Sequence, residues 1–309
     1  MSRKVHIGVF LCEMTALGVL RFITSHPLNS HRKLNALVRF AKWQIGSRLV
    51  PGAVSVDWIG GAKILVRPGE TGLTGNVYAG LHEFHDMSFV LHALRPDDLF
   101  VDVGANLGSY TILACAAVGA RGFAFEPVPA TFARLTEHIH LNNIATRALC
   151  RNVGIGREPA VMRFTADLDT LNHVLAPDEV HERAIDVPIV TLDAALEGAA
   201  PFLIKIDVEG YELPALEGSR ATLSNPALNA IIIELNGSGA RYGFDESQIL
   251  RLLIEYGFST YRYDPLDRRL TNAAGRTEPR GNTLFLRNEA LIRERLRTAP
   301  KICVNDRSF

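Results

Sequence analysis

A short glycine-containing stretch and one later acid have the residue types and spacing of a small-molecule binding turn. The stretch LFVDVGANLGSYT begins as an apolar strand that carries Asp102 near its end, and it continues as an alanine-rich helix. Between strand and helix lie Gly104, Asn106 and Gly108, and Glu126 ends the next apolar segment, 24 residues after Asp102. Open α/β sheets bind ligands outside the carboxyl ends of their strands, so we expect these five residues to border one site.

The residue types in this turn favour one kind of ligand. In a dinucleotide-binding turn the second glycine lets a pyrophosphate approach the backbone, and Asn106 stands in its place here. Asp102 would repel a phosphate and would suit a cationic group such as an amine or a sulfonium. Glu126 can accept hydrogen bonds from two ribose hydroxyls. S-adenosylmethionine is a nucleoside with a positive, phosphate-free tail, so we expect it to be the ligand. An NAD-type oxidoreductase is the less favoured alternative. A non-catalytic binding module of the same fold is a further alternative.

A second set of polar residues could act on a substrate. Asp207 and Glu209 lie in IKIDVEGYE, directly after a predicted strand, and His173 lies in the long connection before it. A sugar hydroxyl ionises far above neutral pH, so methyl transfer to it needs a base. We predict that Asp207 and Glu209 act as a pair, with His173 as a further candidate; the alternative for either carboxylate is to cap the following helix.

The elements that must position these residues follow from the hydrophobic pattern. Apolar strands alternate with helical segments from about residue 84, which is typical of parallel βαβ units in an α/β fold. A helix is predicted over 245–256, with Asp245 and Gln248 as a capping box, and a β excursion is predicted between the third and fourth strands. The seven predicted strands are 99–103, 122–126, 147–153, 202–207, 229–235, 258–263 and 282–287.

Three longer motifs resemble the signatures of the FkbM family of S-adenosylmethionine-dependent methyltransferases. They are FVDVGANLGSYT, FEPVPATFARLTEHIHLNN and LIKIDVEGYELPALEG, and the resemblance covers roughly residues 78 to 240. It implies a Rossmann-like, seven-stranded class I methyltransferase fold and O-methylation of a hydroxyl on a sugar, glycoconjugate or other natural product. The lead-in VYAGLHEFHDM also resembles the family, with His82 where tyrosine is often found, and it implies that Glu83 borders the cofactor cleft.

A metal-assisted reaction is the alternative within the same class. Asp207 together with Glu234 and Asn236, in IIIELNG, resembles in placement the Mg²⁺ site of catechol-type O-methyltransferases, where oxygen ligands lower the pKa of the hydroxyl. Leu235 separates the acid from the amide, whereas an adjacent pair is expected, so we favour a metal-free site. The histidines of LHEFHD are one residue too close for a zinc-binding H-E-x-x-H.

Composition and charge limit the remaining possibilities. The 309 residues include 33 basic and 33 acidic side chains, so no net field favours nucleic acid, and a small-molecule or glycan acceptor is expected. Four scattered cysteines and no evident signal or spanning segment predict a cytoplasmic protein of undetermined oligomeric state. The predicted divisions are a helical and β cap (1–83), the methyltransferase domain (84–290) and a tail (291–309).

The N-terminal part has two amphipathic segments. Residues 5–23 are apolar but interrupted by Glu13 and Arg21, which favours a helix packed on the main domain. The segment HRKLNALVRFAKWQIGSR is a basic amphipathic helix that could lie on an anionic membrane or bind a partner. We expect packing against the sheet domain instead.

Overall fold

The computed structural model describes residues 16–176, 178–279 and 281–309. Within them, helices α1 to α11 are Ala16–Ser25, Lys33–Leu49, Thr71–Ala79, Phe84–Ala93, Ser109–Ile112, Pro129–Leu141, Leu192–Leu196, Glu212–Glu217, Arg220–Ser224, Glu246–Glu255 and Glu289–Thr298. Strands β1 to β15 are Val54–Asp57, Lys63–Val66, Leu99–Val103, Arg121–Phe125, Ala148–Arg151, Gly154–Ile155, Ala160–Thr165, Ala184–Val190, Leu203–Ile206, Ala230–Glu234, Ser259–Asp264, Arg269–Asn272, Asn282–Leu286, Cys303–Val304 and Arg307–Ser308.

Eight strands form the central sheet, in the order β12-β11-β13-β10-β9-β3-β4-β5. Neighbours from β10 to β5 pair in parallel, whereas β13 pairs antiparallel with both β10 and β11. All five residues of β3 and all four of β9 are buried, as expected for parallel strands covered on both faces. The predicted α/β fold and its seven strands are confirmed, and β12 adds an eighth strand at one edge.

The order in which successive strands are added to the sheet reverses between β3 and β9. Successive βα units lead from β3 outward to β4 and β5, and the chain then returns to place β9 on the other side of β3. The predicted β excursion is confirmed in this return as the small sheet β6-β8-β7. The strand predicted over 147–153 is too long, because β5 ends at Arg151. The next strand, Gly154–Ile155, pairs with β8 in the small sheet.

The N-terminal part packs on the sheet domain. Strands β1 and β2 form an antiparallel hairpin, and Thr71–Ala79 is a helix that the sequence did not predict. Gly72 and Gly75 disfavour a helix there, and the packing of buried Leu73 and Ala79 stabilises it. The basic segment forms α2 as predicted, whereas the prediction for residues 5–23 lies largely outside the described residues.

The C-terminal residues are ordered elements of the same core. Phe309 is 6% exposed and packs edge-on against the rings of Phe84 and His92 in α4.

The capping box predicted for α10 is present, with Asp245 and Gln248 in their expected roles. Among the described residues, no helix combines the length and apolar character that crossing a bilayer requires.

Candidate active site

The carboxyl ends of β3, β4, β9 and β10 open into one cleft. The turn after β3 forms one wall, and the segments that precede α4 and β8 close it from other sides. The predicted residues that line this cleft are Glu83, Asp102, Gly104, Asn106, Glu126, Asp207, Glu209 and Glu234. The fold thus brings the turn predicted for a nucleoside next to the carboxylates predicted to act on a substrate, at the point where strand order reverses.

The backbone N–H groups of the turn are used within the protein. Those of Gly104 and Ala105 donate to the carbonyl of Phe125, and that of Gly108 donates to the carbonyl of Ala105. The N–H of Asn106 donates to Glu126, and that of residue 107 donates to the Asn106 side chain. From residue 104 to 108, therefore, each N–H group already has an acceptor within the protein, which disfavours the binding of a pyrophosphate at this turn.

Gly104 is required by the packing of two loops against each other. Its φ is +79°, and a Cβ at this position would overlap the carbonyl oxygen of Asp207. The missing side chain lets the turn after β3 contact the loop after β9, which brings the two halves of the site together. Gly108, also predicted to bind the cofactor, does not line the cleft; a Cβ there would lie 2.5 Å from Leu135.

Two buried acids lie on the nucleoside side of the cleft. Asp102 is 2% exposed and accepts a hydrogen bond of 2.6 Å from the Thr111 hydroxyl. Glu126 is 6% exposed, and its two oxygens accept one backbone N–H each, from Asn106 and Val128. Burial raises the pKa of Asp102 to about 6 and that of Glu126 to about 7. Both therefore favour a ligand that supplies positive charge or hydrogen-bond donors.

Three carboxylates meet on the other side of the cleft. One oxygen each of Asp207, Glu209 and Glu234 lies within 4.8 Å of the other two. Burial, followed by repulsion from Asp207, raises the pKa of Glu209 to about 8 and raises the pKa of Glu234 further. Like charges this close share protons, and this cluster offers a base that titrates near neutral pH.

The backbone around Glu209 is strained and held from behind. Glu209 has φ +54°, in the left-handed region that favours glycine. A carboxylate oxygen of Glu212 accepts the N–H groups of Val208 and Gly210, both at 3.1 Å, and so fixes the loop on either side of Glu209. The capping alternative considered for Asp207 and Glu209 is not fulfilled, because no side chain among the described residues caps the N-terminus of α8. Strain of this kind, maintained by surrounding contacts, is typical of functional positions.

A buried lysine joins the two sides of the site. Lys205 is 2% exposed, lies opposite Asp102 on the adjacent strand, and donates a 2.8 Å hydrogen bond to Asp207. Burial alone would lower the pKa of Lys205, but Asp207 and Glu83 outweigh it and raise the pKa. The sequence prediction missed Lys205, although a charged residue inside the apolar run FLIKID is a signal that it has a partner.

Glu83 lies at the cleft beside a second acid, Asp86. Asn282 donates to Glu83 at 2.8 Å and to Asp86 at 3.3 Å from the same amide nitrogen. Burial and then Glu83 raise the pKa of Asp86 to about 7. The ring of His82 also lines the cleft, and Gly75 leaves space for it, since a Cβ there would lie 2.7 Å from the ring.

Two further candidates face away from the cleft. The ring nitrogens of His173 lie 2.8 Å from the carbonyl oxygen of Leu171 and 2.9 Å from Glu179, so the imidazole holds its own loop. The oxygen of Asn236 accepts the N–H of Ser238 in a local turn. Neither side chain lines the cleft. The carboxylate cluster contains Glu209 in the place where the sequence predicted Asn236.

Strand order and site together define a class of protein. Taken in chain order without β12, the strands of the sheet lie in the order 3-2-1-4-5-7-6 with the seventh antiparallel, which is the Rossmann-like arrangement of class I methyltransferases. Residues 102–260 match the model of the methyltransferase FkbM domain. The chain belongs to this family and is a methyltransferase.

Similar proteins carry related descriptions. A hexuronic acid methyltransferase, AglP, from Haloferax volcanii is 29% identical over 178 residues, which cover 55% of this chain and 67% of that protein. Methyltransferase 1 from Beauveria bassiana is 31% identical over 148 residues, which cover 40% of this chain and 59% of that protein. A crystal structure of an FkbM methyltransferase from Methylobacillus flagellatus covers 63% of this chain, with 17% identity, a TM-score of 0.43 and 44% of its own chain aligned.

The residues present fit the cofactor that this family implies. S-adenosylmethionine has an amino group, a sulfonium and two ribose hydroxyls, and the cleft offers the acceptors Asp102 and Glu126. It has no pyrophosphate, and each N–H group of the turn from 104 to 108 already has an acceptor within the protein. The donor set therefore matches S-adenosylmethionine better than a dinucleotide.

Proposed function

We propose that the protein transfers a methyl group from S-adenosylmethionine to a hydroxyl of a sugar or glycoconjugate. The observation that carries this proposal is the position of the carboxylates of Asp207, Glu209 and Glu234. They lie in the same cleft as Asp102 and Glu126. A cluster of carboxylates suits an acceptor that brings hydrogen-bond donors, as a sugar does. The name of the Haloferax volcanii relative supports starting with uronic acids.

The donor half of the site would hold the cofactor by its polar groups. Asp102 would face the amino end, Asn106 would shape the turn, and Glu126 would accept the ribose hydroxyls. When bound, the cofactor supplies a methyl group made electrophilic by the sulfonium. The chain's own contribution is to fix the cofactor and acceptor in line, which can account for a large part of the rate enhancement.

Glu209 is the proposed base. Within the cluster of three carboxylates, Glu209 has a pKa of about 8, which lies close enough to neutral pH for the group to be ionised in part and to attract a hydroxyl proton. Asp207, held by Lys205, would orient the acceptor by a hydrogen bond. Glu234, with its pKa raised further, would remain protonated and could donate one. The prediction that Asp207 and Glu209 act as a pair therefore becomes a division of roles.

The direct test is transfer of a radiolabelled methyl group to a panel of glucuronides, neutral glycosides and non-sugar phenols. We expect a radiolabelled product with at least one sugar, and a much smaller yield of that product from the Glu209→Gln variant. Exposed Glu255→Gln is the matched control and should leave the yield unchanged. Methylation of the phenols alone would refute the sugar assignment while leaving the methyltransferase activity in place.

A divalent cation is the second candidate for this site, because three carboxylate oxygens converge there. We favour the metal-free reaction, since Lys205 already neutralises part of the cluster and occupies an oxygen of Asp207. Hard cations need several free oxygen ligands, and Asn236 faces away. Loss of turnover in EDTA with recovery on adding Mg²⁺ would reverse this preference.

A further inference from the structure

One segment near the start of this neutral chain carries basic residues and no acidic ones. Between Glu13 and Asp57 there is no acidic residue at all, although the whole chain has 33 acidic and 33 basic side chains. The basic residues in that interval are Arg21, Arg32, Lys33, Arg39, Lys42 and Arg48. Such a segment attracts an anionic surface even when the net charge is zero.

Helix α2 has two apolar faces, and the described residues pack against one of them. Ala36 and Trp43 are buried against the rest of the protein, as is Ser47. The opposite face carries four exposed apolar side chains at spacings of four, seven and four residues, which place them in one stripe along the helix. We call these residues the α2 stripe: Leu34, Val38, Ile45 and Leu49, exposed by 78%, 51%, 62% and 76%.

The surroundings of the α2 stripe are basic. Lys42 and Arg48 are exposed on either side of it, and Lys33 is exposed at its first turn. In the neighbouring helix α1, Leu17 is 77% exposed, and exposed Arg21 lies one turn further on. The two helices therefore present apolar side chains bordered by positive charge, which is the composition of helices that lie in a membrane interface.

We propose that α1 and α2 bind the surface of an anionic lipid bilayer, with α2 lying in the plane of the interface. The α2 stripe would enter the headgroup region, and the basic side chains beside it would meet the lipid phosphates. Charge complementarity supports this occupant, because the segment has no acidic residue to repel lipid phosphates and the exposed α2 stripe supplies the apolar side chains that enter a membrane interface.

Helix α1 contacts a residue that lines the cleft. Phe22 of α1 packs edge-on against the ring of His82 at 5.2 Å between ring centres, and His82 lines the cleft. Binding through α1 and α2 would therefore hold the cleft near the lipid surface. This inference goes beyond the proposed function and its test does not depend on methyl transfer.

Vesicle flotation of the full chain tests the proposal. The wild type should float with vesicles of phosphatidylcholine mixed with phosphatidylglycerol, and much less with phosphatidylcholine alone or in high salt. The triple variant Val38→Ser, Ile45→Ser and Leu49→Ser should bind at least about tenfold more weakly, because three apolar side chains no longer enter the interface.

The matched control removes exposed apolar side chains elsewhere. Leu149, Val161 and Ile254 are exposed by 49%, 71% and 51%, and their triple replacement by serine should leave flotation unchanged. A charge variant, Lys42→Glu with Lys33→Glu, gives an independent arm and should weaken binding on the order of tenfold or more.

Three results would overturn the proposal. They are no flotation of the wild type with anionic vesicles, equal losses in the stripe variant and its matched control, and a dimer in sedimentation velocity that only the stripe variant abolishes while no vesicle binding occurs. The last result would assign the α2 stripe to contact between two copies of the chain.

Discussion

Replacing Lys205 with methionine should destabilise the protein and make its stability strongly dependent on pH. The ammonium lies 2.8 Å from Asp207 and is 2% exposed, and at an effective dielectric constant of about 20 the attraction is about 6 kcal/mol. Loss of one partner of a buried pair typically costs about 3–5 kcal/mol. The Asp207 side chain is 34% exposed, so water screens part of the lost attraction and we expect about 3 kcal/mol.

The sign of the pH dependence follows from the carboxylates that remain. Without Lys205, Asp207 lies beside Glu209 and Glu234 and has lost its ion-pair partner, so the folded state gains by binding protons. The free energy of unfolding of the variant should therefore fall further below that of the wild type as the pH rises through neutrality. The difference should shrink as the pH falls towards about 5.

Urea denaturation followed by circular dichroism at several pH values measures this difference. Exposed Lys63→Met in strand β2 is the control and should change the free energy of unfolding by less than about 0.5 kcal/mol. A loss below about 1 kcal/mol at neutral pH for Lys205→Met, or a loss that does not vary with pH, would refute the reasoning about this buried charge cluster.

Three further predictions concern Gly104, Glu209 and the need for a metal ion. Gly104→Ala should cost more than about 3 kcal/mol in urea denaturation, because it adds overlap with Asp207 to the backbone strain, whereas Gly61→Ala, with similar φ and open space, should cost only about 1–2 kcal/mol; equal losses would contradict the overlap. Glu209→Gln should lower kcat by about 10²–10⁴-fold and remove the rise of kcat/KM with pH near 8, while calorimetry should find cofactor affinity unchanged. A rise that persists in the variant would exclude Glu209 as its source. EDTA treatment should leave turnover intact; a loss that Mg²⁺ restores would favour the metal-assisted reaction.

The sheet and the location of the cleft could be predicted from the sequence because both depend on local pattern. Buried parallel strands read as short apolar runs, and ligands lie at their carboxyl ends, so Asp102, Glu126, Asp207 and Glu234 could be assigned to one edge. The helix over 71–79 could not be predicted, because its glycines weaken the helical signal that tertiary packing later outweighs.

The direction of each side chain was harder to predict than its position along the chain. His173 lies in a loop that borders the cleft, yet its ring turns to Glu179, a contact that depends on how the loop folds. Asn236 forms a turn with Ser238, for which the sequence Asn-Gly-Ser was a local signal. Lys205 and Asp207 are two residues apart in one extended segment and so share a face, which was a readable sign of their pairing.

We propose that the turn after β3 and the acids beside it bind S-adenosylmethionine. Titration calorimetry of the full chain against S-adenosylmethionine, S-adenosylhomocysteine and NAD⁺ tests it most directly, with Asp102→Ala and Glu126→Ala as site variants and exposed Asp57→Ala as control. We expect that both sulfur nucleosides bind, that both site variants lose this binding, that the control keeps it, and that NAD⁺ does not bind. Binding of NAD⁺ alone, or sulfur-nucleoside binding that survives both site variants, would contradict it.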